Sequence, residues 1–170
     1  MKYLFTIFVL IFMACGGGPK PQKTAPPTIP KSAKSVLMVI APNNFRDEEF
    51  KDPYDLFKAN GFRVTIASTD TTPAKGMLGV VVKPEIVLEQ VMPDSFDALV
   101  VVGGTGCKVL WDNATLHNIV RDFADKGKTI GAICIGPVVL ARAGIIKEKK
   151  VTAYPSVRNE IEKVGARYTG

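Results

Sequence analysis

The feature that most narrows what this chain can fold into is SVLMVIA, residues 35–41, apolar from its second residue onward and of strand length. A strand with one wet face would alternate polar and apolar residues. This one does not, so it belongs in a parallel sheet covered on both faces. Parallel neighbours need crossover connections, usually helices, and the rest of the chain supplies them. FRVTIAS (62–68), DALVVVGGTG (97–106), TIGAIC (129–134) and KVTAY (150–154) read as strands, and KGMLGVVVKP (75–84) as a short extended excursion. Between them, RDEEFKDPYDLFKANG (46–61), DNATLHNIVRDFADKG (112–127), GPVVLARAG (136–144) and PSVRNEIEKVG (155–165) read as helices. In the second helix Leu116, Ile119, Val120 and Phe123 recur at i, i+3, i+4 and i+7, and Gly127 supplies the stop. The first ends at Gly61 and carries acids in its first turn, where the helix dipole favours them, while Pro53 predicts a kink or a late start. The alternation implies an α/β fold, a three-layer sandwich around a mostly parallel sheet.

Charge separates this body from what precedes it. The net +6 comes largely from Lys2, Lys20, Lys23, Lys31 and Lys34, upstream of which and among which there is no Asp or Glu. From Ser35 on, 17 basic residues face 16 acidic ones, so the folded part lacks the positive excess of a nucleic-acid binder, and no nucleic-acid partner is expected. Lys2 is followed by YLFTIFVLIFMA (3–14), too short for a bilayer span but suited to a secretory signal. Cys15, between Ala14 and Gly16, makes residues 1–15 resemble a bacterial lipoprotein signal whose cysteine is lipidated, although Phe12 stands where such boxes usually carry Leu. An ordinary signal peptide with an incidental cysteine is the alternative. Residues 16–34 hold five prolines and no acid, and read as a tether reaching up to ~3.1 Å per residue, with lysines that favour anionic headgroups. The expectation is a domain at 35–170, lipid-anchored to a bacterial membrane in the cell envelope and facing outside the cytoplasm.

Chemistry concentrates where TIGAIC gives way to GPVVLARAG. In parallel α/β sheets ligands gather at the carboxyl ends of strands. A tight strand-to-helix turn there puts Cys134 at that edge, beside the free N–H groups of a helix start, as in a nucleophile elbow. Those dipoles predict a thiol pKa below the ordinary ~8.5. A buried, inert cysteine at a strand end is the alternative. Cys107, just past the glycine turn in GGTGCKVLW, falls at the same sheet edge. It is a possible pocket residue, able to pair with Cys134 or resolve its oxidised form. His117, the chain's only histidine, lies opposite the apolar stripe of its helix and reads as solvent-facing, while Trp111 and the following Asp112-Asn113 read as packing and helix capping. There is no metal-ligand cluster, phosphate loop or nucleotide fingerprint, so neither metal nor cofactor is expected.

AICIGPVVLARAGIIKEKKVTAYP resembles the elbow segment of the ThiJ/PfpI family, within the class I glutamine amidotransferase-like superfamily of flavodoxin-like folds. VLMVIAPNNFRDEEFKDPYDLFKANGFRVTIAS and DALVVVGGTG agree with it in order and spacing. The resemblance makes Cys134 the family's elbow cysteine and Glu49 the glutamate that contacts its sulfur, with Glu48 the nearest misassignment. It makes Gly103 and Gly104 the Gly-Gly turn that, with the N–H of Ile135, forms an oxyanion hole. A thiolate and carboxylate in contact repel, so the pair should hold one proton between them. Tyr154 falls at a pocket position, offering a hydroxyl or simply packing. The resemblance also implies a homodimer, and a further strand and helix beyond Gly170 that this chain lacks.

Ile135 stands where hydrolytic relatives often carry histidine, and no histidine follows Cys134, which disfavours a cysteine peptidase. The resemblance therefore implies a membrane-tethered enzyme, a hydrolase of glyoxalase or deglycase type. Its Cys134 would act on small electrophilic carbonyls or their adducts on glycated protein. A non-catalytic redox sensor or chaperone-like protein, acting through reversible oxidation of Cys134, is the alternative, and a binding domain with a vestigial pocket a third.

Overall fold

In the computed structural model, which describes residues 34–170, the apolar run folds as β1 (Ser35–Val39), buried along its whole length. Its side chains alternate between the two faces. Val36, Met38 and Ile40 join one core, Leu37, Val39 and Ala41 another, so a single strand serves both. The lipobox cysteine Cys15 and the reading of residues 1–33 lie outside the described residues.

Parallel partners flank β1. β3 (Arg63–Ser68) lies on one side and β7 (Ala98–Val101) on the other, with Val36 opposite Val64 and Ala98. β6 (Ile86–Val87) extends the sheet beyond β3, and β8 (Thr129–Ala132) beyond β7, giving the order β6-β3-β1-β7-β8. One face is covered by α1 (Asp47–Ala59), which buries Phe50 against Phe45, the rings edge to face at 5.6 Å. The other is covered by α2 (Ala114–Asp125) and α3 (Pro137–Arg142), with α4 (Arg158–Glu162) packed on α3. Leu116, Ile119, Val120 and Phe123 are the buried side of α2, and Asn113 caps it by accepting from the Leu116 N–H at 2.8 Å. The three-layer α/β sandwich with a parallel sheet is as the alternation requires.

Several local expectations are corrected. α1 starts six residues before Pro53 and runs through it, because the N–H that proline lacks would have reached only the carbonyl of Glu49, in the first turn. The stretch between β1 and α1, assigned to no element from the sequence, contains β2 (Asn43–Phe45), which joins β4 (Ala74–Gly76) and β5 (Val81–Val82) in a separate small sheet. KVTAY contributes only β9 (Lys150–Val151), paired with β10 (Arg167–Tyr168) and not with the main sheet. The final helix is shorter than read, because Pro155–Val157 forms a 3-10 turn before α4.

The tip between β4 and β5 is tied to the start of α1. Asp47 is buried, and its carboxylate accepts from the N–H groups of Leu78 and Val80 at 2.8 and 2.7 Å. Burial pushes this carboxyl up, but those two hydrogen bonds, Asp47's own amide and the Arg46 charge hold it below the ordinary range.

Candidate active site

Cys134 occupies the turn that joins β8 to α3, with φ 59°, a left-handed conformation uncommon for a residue with a side chain. Short hydrogen bonds over-determine the turn: Ile133 N–H to Val101 O at 3.1 Å, Gly136 N–H to Ile133 O at 2.8 Å, and Tyr154 N–H to the Cys134 carbonyl at 2.7 Å. The cysteine is thereby presented at the carboxyl edge of the sheet, between the ends of β7 and β8.

Glu49 reaches the same point from the first turn of α1, its carboxyl close enough to Cys134 for each group to shift the other's pKa. The space between them exists because residue 103 is glycine. A Cβ there would run into Glu49 Oε2 and lie 2.7 Å from Ile133 O and 2.8 Å from Cys134 Cβ. The backbone N–H groups divide their work. Those of Gly104 and Ile135 favour the charged form of Cys134, and that of Gly103 the charged form of Glu49. All three donors expected for an oxyanion hole thus lie around the pair.

The electrostatics correct one expectation. Burial pushes the Cys134 thiol above its ordinary value; the Gly104 and Ile135 amides pull it down, and the Glu49 carboxylate pushes it further up. α3 is only six residues long, and the amides acting on the sulfur are those of Gly104 and of Ile135 in the turn before it, which do not outweigh desolvation and a neighbouring acid. Burial also pushes the Glu49 carboxyl up, against the Cys134 contact, the Gly103 amide and the Arg46 charge. Oε2 of Glu49 is buried without a hydrogen-bond partner among the described residues, a desolvation that disfavours the charged carboxylate. A thiolate and a carboxylate side by side repel, which favours a proton shared within the pair.

A cleft of about 860 Å³ opens over this pair. Tyr154 lines it with a 57% exposed side chain, so it does not pack into the core, and its amide anchors Cys134. Arg46, Met77, Thr105, Lys108 and Thr152, none singled out from the sequence, complete much of the wall. Only Arg46 left a trace there, as a cation directly before three acids at a helix start.

Two other readings are revised. Cys107 does not line the cleft: the 3-10 helix Thr105–Leu110 turns it into the core, fully buried and unpaired. Burial, then the Cys134 and Glu49 charges, push its thiol up to about 12 despite an opposing contact from Trp111. His117 is half-buried, its Nε2 2.7 Å from Trp111 O, and faces neither solvent freely nor the cleft. Trp111 packs against the core and beneath the Arg142 guanidinium, 5.2 Å from the ring centre. Among the described residues no group of three His, Cys, Asp or Glu is placed to hold a metal ion.

Comparison with known proteins agrees with this architecture. The model of the DJ-1/PfpI family matches residues 34–170. An uncharacterised protein of Methanocaldococcus jannaschii is 48% identical over 81% of this chain and 68% of its own length. The deglycase PfpI of Pyrococcus furiosus is 33% identical over 78% of this chain and 80% of its own. A glutathione-independent glyoxalase of Caenorhabditis elegans is 30% identical over 79% and 72%. The crystal structure of a ThiJ/PfpI domain protein from Brachyspira murdochii superposes with a TM-score of 0.79, at 30% identity over 81% of this chain and 80% of that one.

Proposed function

The chain belongs to the DJ-1/PfpI family, and from that premise we propose that it is a cysteine-dependent enzyme of glyoxalase or deglycase type, acting on small electrophilic carbonyls or their adducts on glycated protein. The observation that carries this reading is the placement of Glu49 beside Cys134, itself on a left-handed turn, both lining an open cleft. Relatives named deglycase and glyoxalase supply the reaction class.

In the proposed reaction the sulfur adds to the aldehyde carbon of a 2-oxoaldehyde as the shared proton settles on Glu49. The resulting oxygen anion takes up the N–H groups of the Gly103-Gly104 turn and of Ile135. Glu49 gives that proton to the oxygen anion and, as carboxylate, moves a proton from the former aldehyde carbon to the former ketone carbon, oxidising the first and reducing the second. Water releases a 2-hydroxycarboxylate and restores the thiol. No external oxidant is consumed. Peptide hydrolysis is disfavoured, because His117 is outside the cleft.

Consumption of methylglyoxal by the purified protein tests this reading. Cys134→Ser and Glu49→Gln are each expected to lower kcat/KM by at least about a hundredfold, the scale of losing a nucleophile or a proton carrier. Equal turnover by all three proteins would refute it. A second reading, a redox sensor, is favoured by the same carboxyl, which would hydrogen-bond an oxidised sulfur. It requires that mild peroxide modify Cys134 alone in the intact mass, and an unmodified protein excludes it. We further propose that residues 1–15 are a lipoprotein signal, with Cys15 the anchor, 16–34 the tether, and 35–170 the DJ-1/PfpI domain, facing outside the cytoplasm and acting as a homodimer.

A further inference from the structure

The cleft around Cys134 carries an uneven set of charges. Its wall includes two cations, Arg46 and Lys108, against a single acid, Glu49. Cationic side chains therefore outnumber acidic ones on the wall itself. The other polar side chains on the wall, Thr105 and Tyr154 among them, are neutral donors and acceptors.

Both cations are available to a ligand. Glu48 engages Nε and Nη2 of Arg46 at 2.8 and 3.1 Å, but the two side chains are 40% and 49% exposed, so the pair stands in water and contributes little. Nη1 of Arg46 is left outside that pair. Lys108 is exposed, its Nζ 5.9 Å from the centre of the Trp111 ring, and it forms no ion pair among the described residues. The two cations come from different elements, Arg46 from the turn between β2 and α1 and Lys108 from the 3-10 helix after β7, while the sulfur comes from the end of β8. A ligand with a carbonyl at the sulfur and an anionic tail meets complementary groups at both ends. A small neutral aldehyde meets them at one.

We propose that Arg46 and Lys108 are specificity-determining residues that select carbonyl substrates carrying a carboxylate. The inference rests on the reaction proposed above. A suitable substrate is 4,5-dioxopentanoate, a 2-oxoaldehyde whose far end is a carboxylate. Addition of water across it gives 2-hydroxypentanedioate: the aldehyde carbon is oxidised to a carboxylate, the adjacent ketone carbon is reduced to an alcohol, and atoms and electrons balance without a co-reactant. Charge-assisted bonds from a guanidinium or ammonium to the tail would hold it in register with the sulfur.

The test is the ratio of kcat/KM for 4,5-dioxopentanoate to that for methylglyoxal. The ratio is expected to exceed about ten, to fall about fivefold in Arg46→Gln and again in Lys108→Gln, the size of one exposed charge contact each, and to persist in Lys108→Arg. It should also fall as salt is raised. A ratio near one, or a ratio that both glutamine variants leave unchanged, overturns the proposal; the latter means that the cations act only on the Cys134/Glu49 pair. If neither aldehyde is consumed by folded protein, the reaction assignment is what fails, and a second measurement still decides the inference. Calorimetric titration of Cys134→Ser with glutarate should give saturable binding, weakened at least about tenfold by the Arg46→Gln/Lys108→Gln pair. No binding, or binding indifferent to the pair, overturns it.

Discussion

A methyl group at position 103 would meet Glu49, the Ile133 carbonyl and the Cys134 side chain at once, and two of those neighbours belong to backbone or to the strained turn. Gly103→Ala is therefore expected to cost about 1–3 kcal/mol, the range for forcing an atom into a packed site. Turnover should drop with it, because the displaced groups are the two that share the proton. Thermal unfolding and methylglyoxal consumption measured on the same preparation check this; a variant matching the parent in both would show that the turn has room to yield. Cys134 was legible in the sequence because a strand, a lone thiol and Gly-Pro in succession define a corner, and Glu49 because the spacing to Gly61 matched the family pattern. The direction of the thiol's shift was not legible. It depends on how much water the surrounding layers exclude, which the local helix dipole does not determine. Arg46 and Lys108 escaped notice for a related reason: they lie 62 positions apart in the chain, and only the stacking of separate loops makes them neighbours of one cleft.

At the scale of elements, the anchoring of the β4–β5 tip to α1 through Asp47 connects stability to the cleft, since the tip carries Met77 on its wall. Asp47→Asn keeps the shape but turns an amide toward one of the two N–H donors and removes the charge. The expected loss is about 1.5–3 kcal/mol, that of hydrogen bonds to a charged acceptor. The sign of its pH dependence follows from the carboxyl's lowered folded value. The contribution is fully present above the unfolded pKa of about 3.9 and is lost as pH falls through the still lower folded one. Parent and variant should thus differ in urea midpoint at pH 7 and converge in acid below about pH 4. A gap that stayed constant down to pH 2 would exclude the charge as its cause. The long elements were readable because α2 repeats its apolar positions over several turns and β1 is apolar without interruption. β2 and β6 were not, since two or three residues carry no period and their pairing is decided by what lies alongside.

For the whole molecule, two apolar cores lie on either side of one sheet. If Cys15 bears the proposed anchor, Cys15→Ser should move the protein from the membrane to the soluble fraction; unchanged partitioning would remove the anchor. The layering was readable because alternating strands and helices admit few arrangements, whereas the detachment of β9 from the main sheet depends on its pairing with β10. The left-handed backbone at Cys134 has a consequence for the lineage as well as for the molecule. Glycine would occupy that position at lower energy, by about 1 kcal/mol or more. Mutational drift therefore runs downhill away from the thiol. A population released from whatever demands that sulfur would lose it early, and its descendants would withstand heat better for having become inert.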